Sequence, residues 1–166
     1  MPFTRKVDLI ACLLGCLALG AAYYLEIVVG LEPCPLCIIQ RIILLILTIL
    51  FLLGTLFPLI NLARRLYHFF VFIIAGLGVA VAGWHVWLTT LPREQVPPCE
   101  ASIYIMLKYM PFKQVVNNIL QAGGDCSNVS WHFLNLNLPT WSLITFTILM
   151  LIAVWQVVHK DRIWIE

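Results

Sequence analysis

Apolar residues run almost unbroken through four stretches of this chain, 7–29, 38–60, 66–91 and 141–158. Each can cross about 30 Å of hydrocarbon, which takes roughly 20 helical residues. Each is also too long and too evenly apolar to be the amphipathic helix of a soluble core. The pattern predicts an all-α membrane protein, a four-transmembrane-helix bundle forming a single domain over residues 1–166. The first run follows Arg5 and Lys6, and Ala18-Leu19-Gly20 resembles a signal cleavage site. Its apolar length exceeds that of a signal peptide, so we expect a retained helix.

Two segments stand apart from these runs, a short one at 31–37 and a long one at 92–140. Within the long one, Phe112, Val115, Val116, Ile119 and Leu120 alternate at helical spacing with Lys113, Gln114, Asn117, Asn118 and Gln121. Pro111 opens this stripe and Gly123-Gly124 closes it. So short a helix is unstable alone in water. It is expected either to lie in the membrane interface or to pack on the bundle.

Composition agrees with a bilayer. The chain is 62% hydrophobic and 11% charged, with mean hydropathy +0.97. A soluble domain of this size could not hide that much apolar surface. A net charge of +2, scattered along the chain, argues against nucleic-acid binding. Arg5, Lys6, Arg64, Arg65, Lys160 and Arg162 all flank one side of the four runs, which should therefore be cytoplasmic together with both termini. The 49-residue segment on the other side holds only Arg93, Lys108 and Lys113. Trp84, Trp87, Trp131 and Trp141 are expected near the outer boundary. Gly76, Ala80 and Gly83 share a helical face that could admit a neighbouring helix, and Cys12, Cys16 and Gly20 read the same way.

The chemistry concentrates in the outward segments, which hold four of the six cysteines. Cys34-Pro35-Leu36-Cys37 is a Cys-x-x-Cys pair at the mouth of the second run. Such a pair can be a structural disulfide or a redox pair, since a helix N-terminus favours thiolate. It lacks a second ligand pair of matching spacing, so no metal is expected. Pro35 suits the first helical turn, and Arg41 then lies one turn below Cys37 on the same face. A cation at that depth either serves a ligand or snorkels to the headgroups. Cys99 and Cys126 lie 27 residues apart, and Pro97-Pro98 keeps the approach to Cys99 extended. They could exchange with another protein or simply close a loop. His85 and Glu26, near the outer ends of their runs, are functional candidates or hydrogen-bonded structural residues.

Together these residues resemble the DsbB family, the disulfide-bond formation proteins B of bacterial inner membranes. The resemblance rests on four helices, Cys-Pro-Leu-Cys followed by Arg41, and a second outward cysteine pair. Gly124-Asp125-Cys126 and the run Trp131, Phe133, Leu134, Leu136, Pro139, Trp141 match the family's pattern as well. Cys12 and Cys16 lie outside it, and Gln40 stands where glutamate often sits. The resemblance implies a membrane thiol:quinone oxidoreductase with redox cysteines in the periplasm. It would reoxidise DsbA, the soluble dithiol oxidase, or one dedicated DsbA-type partner. Electrons would pass to a membrane quinone, ubiquinone or menaquinone. Cys99 would form the mixed disulfide with DsbA, Cys126 would be its partner, and Cys34 would exchange with Cys126. Cys37 would face the quinone, Arg41 would bind it or stabilise its anion and the Cys37 thiolate, and His85 corresponds to a family histidine near the quinone. An ordinary structural disulfide, below about −300 mV, would need roughly 8 kcal/mol to oxidise DsbA near −120 mV, so a quinone must supply the drive. Two alternatives stand beside this reading. One is a non-catalytic four-helix membrane protein with structural disulfides. The other is a thiol-based metal transporter, for which Cys12 and Cys16 lack neighbouring histidine or methionine.

Overall fold

The computed structural model describes residues 3–30, 33–57, 61–90, 132–133 and 136–158. The expectations for Cys99, Cys126, the helical stripe at 112–121 and Trp131 lie outside the described residues.

Four helices account for nearly all of it: α1 (Phe3–Ile27), α2 (Pro35–Leu56), α3 (Asn61–Thr90) and α4 (Leu138–Val158). All four are long and apolar enough to cross a membrane. Two-residue strands, β1 (His132–Phe133) and β2 (Leu136–Asn137), pair antiparallel just before α4. The hydropathy runs gave no sign of this ribbon, because two residues are too few to show alternation.

Local chemistry sets the helix ends. Helix α2 stops earlier than its apolar run because Phe57, which precedes Pro58, is extended at φ −96°, ψ 125°. It starts earlier because Cys34 caps it and Pro35 fills the first turn. Helix α4 likewise begins before Trp141. Asn137 Oδ1 accepts from the Thr140 backbone N–H at 3.2 Å, the bond an N-cap makes. The Asn137 amide also donates to Thr89 Oγ1 at 3.3 Å, which ties this start to the end of α3. After α1, Gly30 turns the chain at φ 75°, a region few side-chain-bearing residues adopt.

Helix α1 packs along α2, and α3 along α4. Each turns a stripe inward at three- and four-residue steps, as in α3 at His68, Val71, Ala75, Gly78, Ala82, His85 and Leu88. Leu47, Phe51, Phe146 and Leu149 fill the centre. The outward faces carry large apolar side chains such as Leu17, Ile42, Phe70 and Leu151, which suit contact with lipid. The small-residue face expected at Gly76, Ala80 and Gly83 is not a helix contact. Nothing lies within 4 Å of a Cβ at Gly76 or Gly83, and Ala80 is exposed. The close approaches are elsewhere, at Gly15 against Thr48 and at Gly78 against Phe146. Cys12 is buried in the core, whereas Cys16 is exposed and a Cβ at Gly20 would meet nothing.

A Cβ on Gly78 would lie 2.4 Å from the Phe146 ring. Gly78→Ala is therefore expected to destabilise the bundle by about 1–3 kcal/mol. A lowered melting temperature in detergent would register it. In a Phe146→Ala background, where no ring stands in the way, the same change should cost little.

The bundle end remote from Cys34 is held by polar contacts. Arg5 donates to the Thr55 carbonyl at 2.8 Å and Arg65 to the Val157 carbonyl at 3.1 Å, capping the last turns of α2 and α4. Buried Asp8 accepts from the Gln156 amide at 2.6 Å and faces His68 at 3.7 Å. The arginines that mark one side of the chain by charge thus also terminate helices.

Candidate redox site

The site is built where α2 begins. Cys34, with φ −68° and ψ 162°, is the N-cap residue. Its sulfur takes the place a serine hydroxyl would occupy and accepts from the Cys37 backbone N–H at 3.3 Å. This capping bond folds the Cys34 side chain back over the first turn. It brings the two sulfurs to 2.9 Å. Leu36 and Leu88, both buried, and Val81 pack around Cys34.

Helix α3 adds a group that sequence spacing could not place. Fully buried His85 sets Nε2 3.7 Å from Cys34 Sγ. Its other ring nitrogen, Nδ1, lies 3.0 Å from the side-chain amide of Gln40, itself buried one turn along α2. The sequence singled out Gln40 only as a departure from a family pattern. The signal that could have found it is an amide on the inward stripe of a membrane helix, where a polar group needs a partner.

On the far side of Cys37 a cavity of about 440 Å³ opens between α1, α2 and α4. Cys37, Gln40 and Arg41 of α2 and Ser142 and Thr145 of α4 supply its polar groups, and Ala22, Trp141 and Phe146 are among its apolar ones. Trp141, expected at the outer boundary, thus lines this cavity. Arg41 is held at both ends of its guanidinium. It pairs with the Glu26 carboxylate and donates to the Ala22 carbonyl at 3.1 Å. It also lies 5.2 Å from the centre of the Tyr23 ring. With only 14% of its side chain exposed, Arg41 is a paired cation in the cavity wall and not a snorkelling one. Glu26, left open by the sequence, is its counterion.

The structure therefore brings Cys34, Cys37, Arg41 and His85 together in one place. His85 stands on the Cys34 side of the dithiol, whereas Gln40 lines the cavity. The ligand atoms of Cys34, Cys37 and His85 lie within 4.8 Å of one another, a soft donor set. Two Zn–S bonds of about 2.3 Å at a tetrahedral angle hold their sulfurs about 3.8 Å apart. The sulfurs here, 2.9 Å apart, lie between that spacing and a disulfide bond. A bond of about 2.05 Å between them needs only a small movement.

Four membrane-spanning helices with a Cys-x-x-Cys dithiol capping one of them, above a cavity with a buried cation, define a multi-pass membrane protein equipped for thiol–disulfide chemistry. The comparisons give the particular family. The family model for "Disulfide bond formation protein DsbB" matches residues 4–156. The chain is 40% identical over 157 residues to disulfide bond formation protein B of Acinetobacter baylyi, covering 94% of this chain and 92% of that protein. It is 40% identical over 142 residues to disulfide bond formation protein B 1 of Pseudomonas aeruginosa, covering 86% and 87%. It is also 40% identical over 149 residues to the protein of that name from Chromohalobacter salexigens, covering 89% and 87%. The chain belongs to the DsbB family. It is a disulfide bond formation protein and, by that membership, a disulfide-forming oxidoreductase.

Proposed function

We propose that this chain is a protein-dithiol:quinone oxidoreductase of the bacterial inner membrane, which reoxidises a DsbA-type periplasmic dithiol oxidase and delivers the electrons to a membrane quinone. One observation carries the reading: Cys37 holds its sulfur 2.9 Å from that of Cys34 and is itself a lining residue of the Arg41 cavity. A dithiol so placed can exchange disulfides outward and give up electrons inward.

The cavity suits a quinone headgroup. Its volume falls within the usual range for small-molecule sites, about 300–1,000 Å³, and its walls are mostly apolar with a few convergent polar groups. Cys37, Gln40 and Arg41 would hold the group, and Trp141 and Phe146 would give it apolar surroundings. A bound quinone supplies a two-electron, two-proton acceptor. Arg41 contributes a fixed positive charge where negative charge develops, and its pairing with Glu26 keeps the guanidinium in place without reorganisation. The apolar walls lower the local polarity and strengthen that interaction.

Cys99 and Cys126 complete the pathway as the pair that meets the soluble partner, a role supported by Pro97-Pro98 before Cys99 in the sequence and by the family resemblance. The periplasmic placement of all four cysteines rests on the arginine and lysine asymmetry. The test is turnover. Purified protein supplied with ubiquinone or menaquinone and a reduced DsbA-type partner should oxidise that partner catalytically, with quinone loss followed by absorbance. A protein whose cysteines stay unreduced by the partner, and which ignores both quinones, would be the inert scaffold instead.

A further inference from the structure

We propose that His85 is a catalytic residue of the dithiol, donating a hydrogen bond to the Cys34 sulfur whenever that sulfur carries negative charge, and that Gln40 is the positioning residue that fixes the imidazole for this task. The role rests on the thiol-oxidase reading above, but it concerns the Cys34 side of the pair and not the cavity.

The geometry supplies the direction of each bond. The Gln40 amide lies 3.0 Å from His85 Nδ1. With the Gln40 amide nitrogen turned toward it, Nδ1 is assigned as acceptor, which assigns the ring proton to Nε2. Nε2 is the atom 3.7 Å from Cys34 Sγ. The same sulfur receives the Cys37 backbone N–H at 3.3 Å and sits at the start of α2, where the helix dipole favours an anion. Three features thus converge on one sulfur: an imidazole N–H, a backbone N–H and a helix N-terminus. Leu36 and Leu88, against which Cys34 packs, leave the sulfur half-buried and lower the local polarity around it.

Charged and titratable neighbours are few among the described residues. Helix α2 offers Cys37 and, one turn on, Arg41; α1 offers Glu26, already paired with Arg41. Helix α3 contributes His85 itself, and α4 carries no titratable side chain.

Negative charge reaches Cys34 in a defined step. On the proposed pathway Cys34 is bonded to Cys126; when the Cys99 thiolate attacks Cys126, the Cys99–Cys126 bond forms and the bond to Cys34 breaks. The electron pair stays on Cys34 as thiolate. Sulfur is exchanged without net oxidation and without a proton. A stabilised thiolate leaves faster, so the His85 N–H acts where the old bond breaks. His85 would thus serve release of the Cys99–Cys126 pair from Cys34, and Arg41 the acceptor side.

The test needs neither quinone nor partner. Reduced full-length protein in detergent is alkylated with iodoacetamide across pH 5–10, and Cys34 and Cys37 are read separately by peptide mass spectrometry. His85→Ala is expected to raise the pH midpoint of Cys34 alkylation and slow it about tenfold at pH 7, one pKa unit being a factor of ten in thiolate below the midpoint. His85→Gln, which keeps an N–H donor, should recover much of the rate, and Gln40→Leu should fall between. A Cys34 midpoint unmoved in folded His85→Ala protein overturns the proposal. Should that variant fail to fold, Gln40→Leu decides by the same criterion. A shifted midpoint in protein that never reduces quinone would defeat the oxidase reading while keeping the thiolate assignment.

Discussion

Cys37→Ala should reduce partner oxidation by quinone on the order of 10³-fold or more, because residues that act as one chemical unit fail together. The expectation follows from where this sulfur lies. It touches Cys34, and among the described residues that line the cavity Cys37 alone carries sulfur. Electrons arriving at Cys34 have no second sulfur among the cavity's lining residues through which to leave. Cys34→Ala should block turnover too, but at an earlier point, since Cys37 keeps its place beside the cavity. The two variants separate by ligand binding. Cys34→Ala should bind quinone as the parent does and Cys37→Ala more weakly, measured by fluorescence quenching of Trp141 in the cavity wall, while neither turns over. Substantial partner oxidation by Cys37→Ala protein would remove the sulfur from the route and with it the mechanism proposed here.

Arg41→Ala is expected to act on the acceptor. A hydrogen bond to a charged group contributes about 1.5–3 kcal/mol. At about 1.4 kcal/mol per tenfold, quinone KM should rise roughly 10- to 150-fold. A second consequence complicates the single variant: it leaves Glu26, 34% exposed, without its counterion inside a membrane helix. Loss of activity could then reflect loss of structure. The double variant Arg41→Met/Glu26→Gln removes both charges and should recover the melting temperature. It should not recover quinone affinity. A double variant with normal quinone kinetics would reduce Arg41 to a structural partner of Glu26, while Glu26→Gln alone tests whether the carboxylate is needed to aim the guanidinium.

These experiments bear on residues of unequal visibility in the sequence. The dithiol, its proline and Arg41 lie within eight consecutive positions, so helix periodicity alone puts the cation beneath Cys37. Gln40 lies next to Arg41 and still could not be assigned, because its partner is 45 residues away on another helix. Glu26 and Arg41 show the same limit, with a separation of 15 residues and an intervening turn at Gly30. Gly78 was passed over for Gly76 and Gly83 because a helix of small residues offers several plausible faces. Only the bulk of Phe146 on α4 selects one of them.

What the chain determined by itself is what repeats or lies close along it. Four apolar runs of bilayer length demand helices, since backbone polar groups in hydrocarbon must be satisfied within their own segment. Proline, capping residue and cysteine spacing fix how α2 begins. Lateral order is a different matter: lipid is as apolar as the helices, so hydropathy does not say which face meets which neighbour. Packing decided that, and it placed His85 against Cys34, Glu26 against Arg41, and α4 across the cavity beside Cys37.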